Sequence, residues 1–129
     1  MGKRILIADD HGVLRAGLRA LLNGTADMQV VAEAGSGEEA LQIARQARPD
    51  LVLLDISMPG LDGIEVTRRL KDSTPGILVL IMTMHEDIVL LREALRAGAA
   101  GYIVKRAVES ELITAIQAVR RGELYVHPA

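Results

Sequence analysis

Five short aliphatic runs recur along this chain: KRILIA at 3–8, MQVVAEA at 28–34, LVLLD at 51–55, ILVLIM at 77–82 and GYIVK at 101–105. Between them lie segments whose apolar residues fall at helical spacing, and this alternation constrains the fold more than any other property. Three of the runs are almost continuously apolar, as strands must be when helices cover both faces of a parallel sheet. Leu14, Leu18, Leu21 and Leu22 mark one face of a first helix, with Gly24 as its stop signal. Ser36 with Glu39, and Asp62 with Glu65, have the spacing of capping boxes that open a second and a third helix. Ile88, Leu91 and Leu95 stripe a fourth, ended by Gly98; Leu112, Ile116 and Val119 stripe a fifth, closed by Arg120, Arg121 and Gly122.

Five β–α units in series predict an α/β domain: a flavodoxin-like, doubly wound, five-stranded parallel sheet of order 2-1-3-4-5 with five helices. A chain of 129 residues that is 50% hydrophobic makes one domain with a substantial core. That core is aliphatic, because the sequence has two tyrosines and neither Phe nor Trp. Few aromatics argue against binding nucleic acid by base stacking, and a net charge of −2 argues against attraction to phosphate backbones or anionic lipid. The absence of cysteine excludes thiol catalysis, disulfides and Cys-ligated zinc. The longest aliphatic stretch, at 77–82, is far short of the roughly 20 residues a membrane helix needs. With no signal-peptide pattern at the N-terminus, a cytoplasmic setting is expected. Neither repeats nor low-complexity segments interrupt the pattern.

In open parallel sheets, ligands bind beyond the carboxyl ends of the strands. Reading those ends gives Asp9 and Asp10 after the first strand, Asp55 at the end of the third, Thr83 after the fourth and Lys105 after the fifth. Each has an ordinary alternative: an acidic pair in a solvated loop or capping a helix, an aspartate forming the turn before Pro59 and Gly60, a capping threonine, a surface lysine. These alternatives do not predict that all five converge. Carboxylates about 4–6 Å apart raise one another's pKa and oppose folding unless a cation joins them. An all-oxygen set suits Mg²⁺ better than zinc or copper. Asp55 is then a candidate nucleophile toward phosphorus, forming an aspartyl-phosphate. Mg²⁺ held by Asp10 and Asp55, with Asp9 helping directly or through water, would clamp the phosphoryl oxygens, while Lys105 and the Thr83 hydroxyl take the others.

The ordered set ILIADDH, LVLLDISMPGLDG, MTMH and GYIVK resembles the receiver domain of bacterial two-component response regulators, over residues 3 to about 122. DDH, MPGLDGIEV, ALRAGAAGYIVK and AIQAVRRGELYVHPA are similar to the NarL/FixJ-type subfamily, whose members carry a LuxR-type helix-turn-helix after the receiver. The resemblance implies that Asp55 is the phosphoacceptor and that Asp9 and Asp10 are the metal-binding acidic pair. It makes Asp55 and the backbone carbonyl of Ser57 further metal ligands. Thr83 becomes the switch hydroxyl, Lys105 the phosphate-binding lysine and Tyr102 the aromatic that reorients on activation. It further implies a sensor histidine kinase as phosphodonor, a homodimer on phosphorylation, and regulation of transcription. Two positions depart from the commonest pattern: Met84 stands where a small residue is usual, and could narrow phosphate access or swing clear. His85 could influence water attack on the acyl phosphate or be a simple loop residue. His11 occupies a position where the subfamily often has histidine, with local packing or capping as its expected role.

Other classes fit less well. A haloacid-dehalogenase-type phosphatase would resemble a pattern with a second Asp where this chain has Ser57, and a flavodoxin would need a phosphate loop that is not acidic. A phosphorylation-independent interaction module with an idle site would not need the full residue set. Residues 1–122 are expected to form the receiver and 123–129 to begin a linker to a C-terminal DNA-binding domain that the sequence does not contain. DNA contact is expected only through that domain; the alternative is a stand-alone receiver acting through protein contacts. Small residues Val13, Ala16 and Ala20 form a second stripe on the first helix, a region where receivers commonly meet the kinase.

Overall fold

The computed structural model describes residues 3–84 and 86–128. Strands β1 (Lys3–Ala8), β2 (Met28–Ala34), β3 (Leu51–Asp55), β4 (Leu78–Thr83) and β5 (Gly101–Val104) alternate with helices α1 (Gly12–Asn23), α2 (Gly37–Ala47), α3 (Gly63–Ser73), α4 (Ile88–Arg96) and α5 (Val108–Arg120). All pairings are parallel, in the order β2-β1-β3-β4-β5, as the series of β–α units predicts. A sixth strand, β6 (Tyr125–His127), extends the sheet beyond β5 in the same direction.

This sixth strand lies in the segment expected to begin a linker. Three residues are too few to show an alternating pattern, so the strand is set by its neighbours rather than by periodicity. Gly122, at φ +86°, turns the chain out of α5. Tyr125 then pairs with Gly101, Val126 with Tyr102 and His127 with Ile103. The Tyr125 hydroxyl donates to Glu111 on α5, pinning the strand to the helix that precedes it.

Successive residues of the central strands point to opposite faces. Ile5, Ile7, Leu51, Leu53, Leu80 and Met82 pack against Leu18 and Leu22 of α1 and Leu112, Ile116 and Val119 of α5. Leu6, Ala8, Val52, Leu54, Val79 and Ile81 pack on the other side, against Leu41 of α2, Ile64, Val66 and Leu70 of α3 and Ala94 of α4. A fully buried Leu or Ile of this kind contributes about 1.5–3 kcal/mol over an exposed one, so the strand interiors hold the sheet in one register.

The helix signals behave unequally. Ser36 accepts from the Glu39 N–H at 3.2 Å, and the Glu39 carboxylate reaches back to the Gly35 N–H. Asp62 likewise accepts from the Glu65 N–H, but the Glu65 carboxylate turns outward to Arg68 and Arg69, so only half of that capping box forms. Gly98 closes its helix with a left-handed φ of +106°. Gly24 also caps its helix, its N–H bonding back to Ala20 and Leu22, but at φ −83°, within the range of any residue. The left-handed cap of α2 is instead Arg48, at φ 47°.

One close approach positions the site directly. The first residue of α3, Gly63, lies against the end of β3, where an added Cβ would sit 2.7 Å from the Asp55 carbonyl oxygen and 2.7 Å from the Ile56 Cα. Both atoms are backbone and cannot yield cheaply. Gly63→Ala should therefore cost about 1–3 kcal/mol of stability in a urea titration. Gly76→Ala, which meets nothing within 4 Å, should leave the transition close to that of the parent chain.

Candidate functional site

β1 and β3 are neighbours at the centre of the sheet, and both carry acidic residues at their carboxyl ends. Asp9 is 0% and Asp55 1% exposed. Lys105 follows β5 and opens a single 3-10 turn, Lys105–Ala107, so its side chain runs back over the strand ends. Its ammonium lies 2.8 Å from Asp9 Oδ2 and 3.0 Å from Asp55 Oδ2, with 9% of the side chain exposed. The bond to Asp55 is an aligned hydrogen bond. The contact with Asp9 is an ion pair without that alignment, and Asp9 Oδ2 has charge compensation but no aligned donor.

The other carboxylate oxygens are engaged locally. Asp55 Oδ1 accepts from the Ser57 N–H at 3.1 Å, and Asp9 Oδ1 accepts from the His11 N–H at 2.7 Å. Asp10, whose side chain is about one-third exposed, places Oδ1 3.1 Å from His11 Nδ1, which lies equally close to Asp9 Oδ1. One potential ligand atom from each of Asp9, Asp10, His11 and Asp55 falls within 4.8 Å of the others. His11 was expected to pack or cap. It stands at the N-cap position of α1 but makes no side-chain cap, because its ring is turned toward the acidic pair.

Burial is the main cause holding the Asp55 carboxyl above its ordinary value of 3.8; the Lys105 hydrogen bond, the Ser57 N–H and the Lys105 charge oppose it, and the Asp9 charge adds to it. For Lys105, burial works against the ammonium, but the Asp55 hydrogen bond and the close Asp9 and Asp55 carboxylate charges outweigh it and raise the pKa above 10.5.

Thr83 and Tyr102 complete the expected set. Thr83 ends β4, is buried, and hydrogen bonds with the Tyr102 side chain. The Tyr102 ring is 3% exposed and packs into the core beneath α4, and burial raises its hydroxyl pKa. Neither Lys105 nor Thr83 stands idle in the folded chain: Lys105 joins two carboxylates and Thr83 bonds Tyr102. The physical reason is the one that called for a cation: two buried carboxylates this close need a positive charge in the folded chain itself. Met84 swings clear, at 62% exposed, and lines an open apolar groove with Val13, Leu14 and Leu21 between α1 and the start of α5. His85, the other departure from the common pattern, lies outside the described residues.

Four contacts were not legible in the strand ends, from which β2 had been left out. Arg15 of α1 donates to the Asp9 carbonyl and pairs with Glu33 of β2, and Arg19 pairs with the same Glu33. Arg106, beside Lys105, forms an ion pair with Glu86. The Arg15 and Arg19 spacing of four residues on one helix was the available signal, but their acidic partner is 18 residues from the first and 14 from the second.

This is the geometry of a signalling receiver, and residues 5–117 match the response regulator receiver domain family. The chain belongs to that family, in its NarL/FixJ-type branch. Over 125 residues it is 43% identical to the response regulator GacA of Pseudomonas viridiflava, and over 126 residues 44% identical to the oxygen regulatory protein NreC of Staphylococcus carnosus. Each alignment covers 97% of this chain and 58% of the relative, so the chain spans little more than half the length of those proteins. A two-component response regulator of the LuxR family from Aurantimonas sp. SI85-9A1 superposes with a TM-score of 0.94 at 37% identity, covering 99% of this chain and 91% of that one.

The buried charges give two outcomes measurable without any ligand. Because the Asp55 pKa is raised on folding, its contribution to stability is greatest below 3.8 and falls as pH rises through the folded value. Asp55→Asn should therefore melt at a higher temperature than the parent at neutral pH without metal, and the difference should shrink as pH is lowered toward 3.8. Lys105 works the other way, its contribution complete below 10.5 and lost as pH rises through the folded value. Lys105→Met, which strands two buried carboxylates, should lose about 3–5 kcal/mol in denaturant unfolding at neutral pH.

Proposed function

We propose that this receiver is a phosphorylation-controlled switch in which Asp55 accepts a phosphoryl group from the phosphohistidine of a sensor histidine kinase. The observation that carries the reading is the Asp55 carboxylate itself, buried at the end of a central strand and bonded to Lys105 beside Asp9 and Asp10. A carboxylate so placed is poor as a structural group and well placed as a nucleophile, because donors already stand where charge would develop.

The donor set fits a hard divalent cation. Asp9 Oδ2 is a buried oxygen without an aligned donor, and the remaining candidate ligands are carboxylate oxygens of Asp10 and Asp55 together with the Ser57 carbonyl. Asp9, Asp10, Asp55 and Ser57 would hold Mg²⁺, which when bound supplies charge neutralisation for the phosphoryl oxygens. In the transfer, an Asp55 carboxylate oxygen attacks phosphorus as the P–N bond of the phosphohistidine breaks, and the imidazole leaves with the electron pair. Phosphorylation exchanges one carboxylate charge for about −1.5 to −2, by analogy with phosphorylated hydroxyls. Lys105 then exchanges a carboxylate partner for a phosphoryl oxygen. The Thr83 hydroxyl, drawn to the same group, alters its bond with Tyr102 and hence the surface formed by α4, β5 and α5. The chain assists its own phosphorylation and dephosphorylation rather than turning over a substrate.

Relatives named as response regulators, and a LuxR-family structural neighbour, support a role in transcription regulation for the whole protein, with DNA contacted through a separate helix-turn-helix. The receiver in that reading is residues 1–122 with β6 as the lead into the linker, it acts in the cytoplasm, and its phosphorylated form dimerises. No helix among the described residues is long and apolar enough to cross a membrane.

Incubation with a small acyl-phosphate donor and Mg²⁺ should add the mass of one phosphoryl group, at Asp55. Asp55→Asn should abolish the gain and Asp10→Asn should reduce it strongly. Undiminished phosphorylation of Asp55→Asn would remove Asp55 as the acceptor.

A further inference from the structure

We infer that Arg15 is a positioning residue for the divalent-cation site, fixing the Asp9–His11 loop through the Asp9 carbonyl. The inference rests on the reading of Asp9, Asp10 and Asp55 as metal-holding residues. β1 ends at Ala8, so the backbone groups of Asp9 lie at the limit of the sheet ladder. Its N–H still reaches β2, donating to the Ala34 carbonyl at 3.0 Å. Its carbonyl accepts from Arg15 Nη1, one turn into α1. The Arg15 Nε donates to Glu33 Oε1 at 3.3 Å, and Glu33 Oε2 accepts from Arg19. Both backbone groups of Asp9 are thereby tied to β2, the N–H directly and the carbonyl through the guanidinium and Glu33.

The side chain of Asp9 is held separately, by the His11 N–H at 2.7 Å and by the Lys105 ammonium at 2.8 Å. These restraints converge on one residue, and the peptide that follows it carries Asp10. Without Arg15 the carbonyl loses its donor, the peptide between Asp9 and Asp10 is free to rotate, and Asp10 moves relative to Asp55. Half-buried Arg15, with 25% of its side chain exposed, is suited to this work because a guanidinium donates in two directions at once.

Electrostatics and positioning predict opposite signs. Removing a positive charge near a cation site strengthens cation binding if charge alone matters; loosening the ligand loop weakens it. Mg²⁺ titration by calorimetry, on proteins shown to be folded by circular dichroism, separates the two. Arg15→Ala should bind Mg²⁺ about 10-fold more weakly than the parent chain, the scale on which outer-shell partners act. Arg15→Lys, with the charge but not the forked donor, should fall between them. Arg19→Ala, which removes the same charge from the same helix without touching the Asp9 carbonyl, should not weaken binding. Equal or tighter binding by Arg15→Ala would overturn the inference. Should that variant not fold, Arg15→Lys decides: weaker binding than the parent supports the positioning role, and equal binding overturns it. If the parent itself binds no Mg²⁺, the metal reading falls together with the inference, an outcome distinct from failure of Arg15 alone.

Discussion

A single ammonium group bridging two buried carboxylates is the interaction on which the rest of this site depends. Asp9 and Asp55 sit at the ends of adjacent central strands, where the sheet pairing leaves them no room to diverge. Taking such charges out of water costs several kcal/mol each, and a cation offsets that cost only if it is close and well aligned. Lys105 meets the condition with one carboxylate and only approaches it with the other. The site is held together while one oxygen stays underused. That residual imbalance leaves a buried carboxylate oxygen with room for a further positive charge, as the proposed function requires.

The fold supplies this arrangement through packing rather than through the charged groups themselves. The two apolar layers, with α1 and α5 on one side and α2, α3 and α4 on the other, fix the register of β1, β3 and β4. Strand-end residues inherit their positions from that register. Gly63 lets α3 start immediately beside the β3 terminus, and the short turn at Lys105 directs its side chain back across the sheet. Stability invested in aliphatic burial is thus what maintains an electrostatically unfavourable group of carboxylates.

The strands, the helices and the cluster of Asp9, Asp10, Asp55 and Lys105 were legible because each rests on a signal repeated over several positions: continuous apolar runs for strands, three- and four-residue spacing for helices, and a topological rule that turns strand ends into neighbours. β1, β2 and β3 have the bounds that their aliphatic runs suggest, and β4 and β5 differ by one residue. What was not legible depends on single long-range contacts. The ion pair of Arg15 with Glu33 joins a helix to a strand, and nothing in either segment announces the other. The prior engagement of Lys105 was hidden for a different reason: sequence places a lysine near two aspartates but does not say whether the charges meet before a ligand arrives. His11 stands at the N-cap of α1 without capping it, and Gly24 stops the same helix without the left-handed turn that glycine usually lends to such a stop. β6 was missed because three residues pair through their neighbours' backbone, which leaves almost no imprint on composition.

That sixth strand has a geometric corollary. Because it runs parallel to β5, it leaves the sheet at the same end at which Asp55 and Lys105 lie, and its central residue, Val126, is paired with Tyr102. Pro128, just beyond it, shares a small hollow with Tyr102 and Ile88 of α4. Polypeptide continuing from this point is therefore tethered at the rim of the acidic centre rather than at the opposite pole of the domain. Any movement of the Tyr102 ring would reach the root of that tether over the width of one strand, so in the proposed reading the lever between site and C-terminal strand is short and does not run through the whole core.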